Sequence, residues 1–227
     1  MFGLPTDIQH SNDAELKQIL HDAIMFQNGI VASLMAKSGV RGLMNYGVSI
    51  PDLQRIARQY GTNHSLARRL CPLHIREAKI LASLLFDENQ LDNSDYESIF
   101  ASILNVDLAE NLARNIICKI NSIDFYNQLI NSDKWHIVAA IHAIGWAAAR
   151  QYSHSVNLTI WFAKNMEKII NQNYIEIVRP LVSTICSIGN VQADNTIERY
   201  ISQLANSSNE VGQKVYNQLK MQNGDYQ

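Results

Sequence analysis

The sequence contains few of the residues that interrupt regular structure or cross-link a chain. Its 227 residues include ten Gly and four Pro, and no segment is low in complexity, so we expect disorder only at the ends. Cys71, Cys118 and Cys186 are odd in number and far apart, and no two of them have metal-ligand spacing. This pattern favours buried thiols in a reducing compartment over disulfides or a zinc site.

Long apolar runs and targeting signals are also absent. No apolar run approaches the length of a membrane span, and residues 1–11 lack the basic and apolar regions of a signal peptide. The seven His residues show no metal-binding spacing, and there is no glycine-rich phosphate loop or nucleophile–base pair. The sequence therefore predicts a soluble cytoplasmic protein that binds no membrane, metal or cofactor.

Nearly every segment carries the helical period, and none alternates with a period of two. Helix-capping residues stand where several helices are predicted to begin: Asn12, Ser49, Ser94 and Asp107. After a first helix over about 12–38, the helices group into pairs of about 30 to 40 residues. This grouping predicts an all-α solenoid of antiparallel HEAT-like repeats, curved with one concave face, as a single domain over 1–227 with repeats at about 49–221. A compact bundle of unrelated helices is the alternative.

Positive charge is concentrated in one part of the chain. From Lys37 to Lys79 there are eight Lys or Arg against two acids, a local net charge of +6 in a chain of net charge −2. Arg55 and Arg58 lie on the polar face of one predicted helix. The excess predicts contact with DNA phosphates, and the candidate residues are Arg41, Arg55, Arg58, Arg68, Arg69, Arg76 and Lys79. The alternative is a solvated surface balanced by residues 80–133, which carry nine acids.

The same region resembles one known family. The HEAT-like-repeat alkylpurine DNA glycosylases (the AlkD family) are similar to it in three segments: Gly47-Val48-Ser49-Ile50-Pro51-Asp52-Leu53, Leu66-Ala67-x-x-Leu70 and Arg76-Glu77-Ala78-Lys79-Ile80-Leu81-Ala82. The resemblance implies a C-shaped solenoid that holds double-stranded DNA, damaged or structured, on a basic concave face. It also implies that active relatives release N3- or N7-alkylated purines without a metal. In them a carboxylate and aromatic faces surround an oxocarbenium-like transition state.

The resemblance also locates the positions of that site. The family's Trp-Asp-x-x-Asp, Trp-x-x-Arg and final Trp positions fall, in that order, on Val106 to Glu110, Trp135 to Val138, and Ser183 or Thr184. A carboxylate is retained, as Asp107 or Glu110, whereas the first aromatic residue, the Arg and the final Trp are replaced. We therefore predict a DNA-repair-type protein with little or no base-excision activity.

Two features leave alternatives open. Glu110 either closes a capping box that begins at Asp107, or is the carboxylate near a lesion. Trp135, His142 and Trp146 share one helical stripe, for which core packing is favoured over a nucleotide platform. The alternative functions are an active alkylpurine glycosylase that uses Glu110 or Asp107, and a solenoid scaffold for a protein partner.

Overall fold

The computed structural model of the protein describes residues 3–10, 13–40, 42–191, 196–205 and 207–222. These residues form fourteen α-helices and two short 3₁₀ helices, with no β-strand and one isolated bridge between Met44 and Ile75. The all-α prediction is confirmed. The chain divides into two compact units, Met1–Ile116 and Ile117–Gln227, and a single domain over the whole chain stays a prediction.

The bounds of the helices are as follows. The first unit contains α1 (Thr6–His10), α2 (Ala14–Ile24), α3 (Gly29–Lys37), α4 (Ile50–Tyr60), α5 (His64–Leu70), α6 (Arg76–Leu85), α7 (Asn93–Ala101) and α8 (Val106–Asn115). The second unit contains the 3₁₀ helix Ile117–Lys119, α9 (Ile123–Ile130), α10 (Lys134–Ala149), α11 (Ser155–Ile170), the 3₁₀ helix Ile175–Ile177, α12 (Val178–Val191), α13 (Thr196–Leu204) and α14 (Glu210–Gln222).

Helix α6 lies between α4 and α8 in the first unit. It also pairs with α5, and α2 packs against α4 and α5. Every residue of α6 except Leu84 is buried. Burial of an apolar side chain contributes about 1.5–3 kcal/mol, and the facing stripes of these helices bury Leu53, Ile56, Leu66, Leu81, Leu108 and Leu112 to 2% exposure or less.

The second unit has two helical layers. Helices α10, α12 and α14 pack side by side in one layer, and α9, α11 and α13 pack against them. Lys134 at the start of α10 binds Glu176 just before α12, and Gly145 near the end of α10 lies against Thr184 of α12. Helices α10 and α12 therefore run parallel. Parallel helices joined through an antiparallel one are the arrangement of HEAT-like repeats, as predicted.

A buried carboxylate and a glycine fix the loop between α3 and α4. Glu77 is fully buried and accepts hydrogen bonds from the N–H groups of Tyr46, at 3.1 Å, and Val48, at 3.2 Å. Gly47 has a φ of 70°, and a Cβ at this position would lie 2.2 Å from the carbonyl oxygen of Asn28. Only glycine fits there. Close backbone packing thus explains this part of the motif.

The first predicted helix, over 12–38, is two helices instead of one. Asn28 accepts a hydrogen bond from the Val31 N–H at 3.1 Å and so starts α3 as a new helix. The predicted cap Asn12 lies outside the described residues, and Asp13 caps α2. No single helix in the described ranges has the length and apolar composition of a membrane span. Helices α2 and α3 reach that composition only as a pair, bent by 88°.

Two other helix starts also differ from the prediction. Asp92 caps α7 in place of Ser94, and Asn105 caps α8 in place of Asp107. Both caps are earlier residues whose side chains accept the free N–H of the third helical residue. Pro180 lies in the first turn of α12, where its missing N–H removes no helical hydrogen bond.

Candidate nucleic-acid interface

Arg76 and Asp107, two of the candidate site residues, form an ion pair. Nε and Nη2 of Arg76 donate to the Asp107 carboxylate at 2.7 and 3.1 Å, and Nη1 donates to Glu77 at 3.1 Å. Arg76 is only 2% exposed. Burial is the largest single influence on the pKa of Arg76 and lowers it, but the hydrogen bonds and charges of Asp107 and Glu77 together outweigh burial, and the pKa is raised. This bidentate pair joins α6 to α8 and keeps Arg76 away from DNA phosphates.

Lys79 is buried as well, and its ammonium has neutral partners. Its Nζ donates to the carbonyl oxygen of Cys71 at 2.8 Å and to Oγ of Ser102 at 3.2 Å. Burial lowers the pKa of Lys79. Arg76 and Lys79 are both buried and hold different partners, so the structure places neither of these two candidate phosphate contacts at the surface.

Arg68 and Arg69 bind acids that are distant in sequence. Arg68 binds Asp95 through Nε at 2.8 Å and Asp92 through Nη2 at 2.6 Å. The hydrogen bond to Asp95 is the main cause of a raised Arg68 pKa. Arg69 binds Asp13 at 2.6 Å and also Glu15. The local excess of positive charge is therefore largely neutralised by other segments of the first unit.

Arg55 and Arg58 on α4 are exposed. Arg55 binds Asp52, one turn earlier, at 2.7 Å, and its guanidinium lies 4.4 Å from the centre of the Phe26 ring. Arg58 makes no ion pair with any residue that the structure describes. Arg41 lies outside those residues. Of the seven predicted phosphate contacts, Arg55 and Arg58 thus remain the best placed.

Glu110 is exposed on α8, and the capping box, one of the two alternatives for this residue, is not formed. The cap is Asn105, which accepts from the Leu108 N–H at 3.0 Å. Asp107, the predicted cap, is instead the partner of Arg76. Glu110 is therefore the more accessible of the two candidate carboxylates.

The remaining positions named by the family resemblance lie on α10 and α12. Val138 is buried in α10, at 1% exposure. Thr184 is also buried, and its hydroxyl donates to the carbonyl oxygen of Ile141 at 2.8 Å. Ser183 is exposed. Of the two positions that could correspond to the family's final Trp, Ser183 is therefore the exposed one and Thr184 the buried one.

The two Trp residues of α10 differ in how far they are buried. Trp135 is half-buried, and the Nζ of Lys134 lies 4.6 Å from its ring centre. Trp146 is 37% exposed, with the Arg150 guanidinium 5.0 Å from its ring centre. The preference for core packing was wrong for Trp146.

The layer of α10, α12 and α14 carries a second excess of positive charge. These helices contain one acid, Glu210, against four cations: Lys134, Arg179, Lys214 and Lys220. Arg179 lies close enough to His142 to lower its pKa, although burial is the larger cause. Sequence reasoning missed this excess because its charges come from helices that are far apart in the chain.

The three cysteine thiols differ in burial. Cys71 and Cys118 are buried, as predicted, and burial raises the pKa of each. The prediction of a buried thiol was wrong for Cys186, which is half-exposed and donates to Oε1 of Gln222 at 3.0 Å. Within the described ranges, no three His, Cys, Asp or Glu side chains form a group that could hold a metal ion.

Paired helices in two layers define a helical-repeat protein of the HEAT-like class. A family model described as DNA alkylation repair enzyme matches residues 27–178, and the chain belongs to that family. One similar solved structure is of "a new family of proteins related to the HEAT-like repeat DNA glycosylases with affinity for branched DNA structures". Its TM-score is 0.67 at 12% identity, covering 91% of this chain and 94% of that one. None of the curated proteins matches the chain.

Proposed function

We propose that the protein binds branched or otherwise structured DNA in DNA repair and does not excise bases. Membership of the DNA alkylation repair family supports a repair role. The structurally similar protein with affinity for branched DNA supports this class of ligand. We also propose a cytoplasmic location for the protein.

The observation that carries the absence of excision is the loss of the groups that would hold a lesion. Val106 and Val138 occupy the positions where the resemblance implies an aromatic residue and an Arg, and Ser183 or Thr184 occupies that of the final Trp. Val138 is 1% exposed, so an apolar side chain in the core stands where the resemblance implies a guanidinium. Glu110 alone could stabilise a sugar cation but could not fix the nucleotide beside it.

The proposed backbone contacts are Arg55 and Arg58. Both are exposed and one turn apart on α4, so they can meet neighbouring phosphates. Arg68 and Arg69 contribute less because each already binds two carboxylates. Arg41 stays a candidate from the sequence alone.

The test is a salt titration of DNA binding by fluorescence anisotropy. The probes are a labelled four-way junction and a linear duplex of the same base composition. We expect tighter binding of the junction. We also expect the Arg55→Ala/Arg58→Ala variant to lower the slope of log K against log salt by about one to two, since each lost phosphate contact removes about 0.9. The matched control is Lys164→Ala/Lys168→Ala on α11. An unchanged slope in the α4 variant would contradict the proposed contacts.

A protein-binding scaffold is the second candidate, and one observation favours it. Three apolar side chains at the end of α2 and within α3 are largely exposed: Met25 at 69%, Ile30 at 76% and Leu34 at 56%. Apolar patches of this kind mark protein contacts. The salt titration separates the two functions, because an apolar interface does not weaken with salt as a phosphate contact does.

A further inference from the structure

We propose that a surface on α10 and α12 binds an unpaired nucleotide of DNA, with Trp146 stacking on the base and Arg179 and Arg150 near the adjoining phosphates. We call His142, Trp146, Arg150 and Arg179 the α10–α12 platform. This inference rests on the proposed DNA-binding function and adds the place and kind of the contact.

Trp146 is the most exposed of the three Trp residues, and packing does not explain its position. Trp161, by contrast, is 8% exposed, and its indole N–H donates to Asn127 at 2.9 Å. Trp146 has one charged neighbour, the Arg150 guanidinium at 5.0 Å, which is itself anchored by donating to the Sγ of Cys118 at 3.4 Å. The exposed remainder of the indole can accept a second flat group.

His142 extends the flat surface along the same helix. It precedes Trp146 by four residues, which places both side chains on one face of α10. Burial and the nearby charge of Arg179 lower the pKa of His142. The ring is therefore neutral at physiological pH, and a neutral imidazole can both donate to and accept from the edge of a base.

The charge around the platform fits a polyanion. Arg179 is exposed and makes no ion pair within the described part of the chain. The nearby acids already have partners: Glu176, just before α12, binds Lys134, and Glu210 in α14 binds Lys214 at 2.6 Å. Cations beside an aromatic face are the combination that binds single-stranded nucleic acid.

The platform has a rigid base because α10 and α12 touch closely. A Cβ at Gly145 would lie 2.7 Å from Oγ1 of Thr184, and Thr184 is hydrogen bonded to the Ile141 carbonyl oxygen at 2.8 Å. These contacts fix the two helices in register directly beside Trp146. A surface held in this way can bind a base without reorganising.

Unpaired DNA is favoured over a duplex as the ligand for a specific reason. A base inside a duplex already stacks on both of its neighbours, so an indole face cannot reach it without unstacking. A base at a branch point or in a single strand has a free face. The platform therefore selects the part of a branched DNA that is not paired.

The test uses the full chain with a labelled oligo(dT) strand and a blunt duplex as probes. Trp146→Ala is expected to weaken oligo(dT) binding about tenfold and to leave duplex binding within about twofold, whereas Trp146→Phe keeps most of the stacking. Oligo(dT) should quench the Trp fluorescence of the parent protein, and this quenching should be lost in Trp146→Ala. Ile160→Ala on the exposed side of α11 is the matched control and should bind like the parent.

The outcomes separate this inference from the proposed function. The platform is contradicted if Trp146→Ala binds oligo(dT) like the parent, or if it loses affinity for both probes equally. In either case, binding to the duplex would still support the proposed function. If the salt slope is unchanged in Arg55→Ala/Arg58→Ala but Trp146→Ala selectively loses affinity for oligo(dT), the α4 contacts are contradicted and the platform is supported. Absence of binding to any DNA overturns both.

Discussion

Arg76 and Asp107 bind each other through two parallel hydrogen bonds, at 2.7 and 3.1 Å. From the sequence, Arg76 is a candidate phosphate contact and Asp107 a candidate catalytic carboxylate. The structure gives each of them the other as its partner. The pair connects α6 to α8, and Arg76 also donates to its neighbour in α6, Glu77, which holds the loop before α4. Its role is therefore structural.

The first prediction concerns the stability that Arg76 provides. Arg76→Ala leaves Glu77 and Asp107 without their cation, and removing one partner of a buried pair costs about 3–5 kcal/mol. Arg55→Ala removes an exposed pair and should cost about 1 kcal/mol or less. Urea denaturation measures both. Equal stabilities for the two variants would show that the buried pair does not contribute as described.

The second prediction concerns base excision. We expect little or no release of 7-methylguanine or 3-methyladenine from alkylated duplex DNA at enzyme excess over hours. The missing aromatic and Arg groups would position the lesion nucleotide and stabilise charge, and contributions of this kind are commonly worth about 10²–10³ in rate each. Free-base release is measured for the parent and Glu110→Gln. Rapid release that disappears in Glu110→Gln would establish an active glycosylase instead.

The third prediction concerns Gly47. Gly47→Ala would bring a Cβ to 2.2 Å from the Asn28 oxygen and 2.7 Å from the Ala32 nitrogen, so the backbone itself must move. We expect a loss of about 4 kcal/mol or more, in the range of severe substitutions. Gly61→Ala is the control. Gly61 also has a positive φ, of 62°, but open space around it, so strain alone should cost about 1–3 kcal/mol. Thermal unfolding distinguishes the two variants.

The fourth prediction concerns pH. The pKa of His142 is lowered from 6.5 in the folded protein, by burial and then by Arg179. The unfolded chain therefore binds a proton more readily, so the stability associated with His142 is present above about pH 6.5 and is lost as pH falls through the folded pKa. His142→Asn should reduce the loss of stability between pH 7 and pH 5. Unfolding free energies that depend on pH identically in parent and variant would contradict this.

Local sequence patterns predicted the helices well and the charge distribution poorly. Ser49 caps α4 as expected because its partner, the Asp52 N–H, is three residues away. The neutralisation of Arg68 and Arg69 could not be predicted in this way, since their acids lie 24 to 56 residues distant. Sequence separation conceals such contacts, and only the packing of α2, α5 and α7 brings them together.

The basic layer of the second unit was missed for a related reason. Lys134, Arg179 and Lys214 each lie on a successive helix of one layer, about one helical repeat apart in sequence. No local window contains more than one of them. Comparing equivalent positions in consecutive repeats, rather than counting charge along the chain, would have found them.

The ion pairs of Arg69 with Asp13 and Glu15 have a practical consequence for fragments of this protein. The family match begins at residue 27, so a fragment cut to that boundary would lose both acids and keep the arginine. The exposed guanidinium would then attract any polyanion. Affinity for nucleic acid measured on such a fragment would result from the truncation and would exceed that of the intact chain.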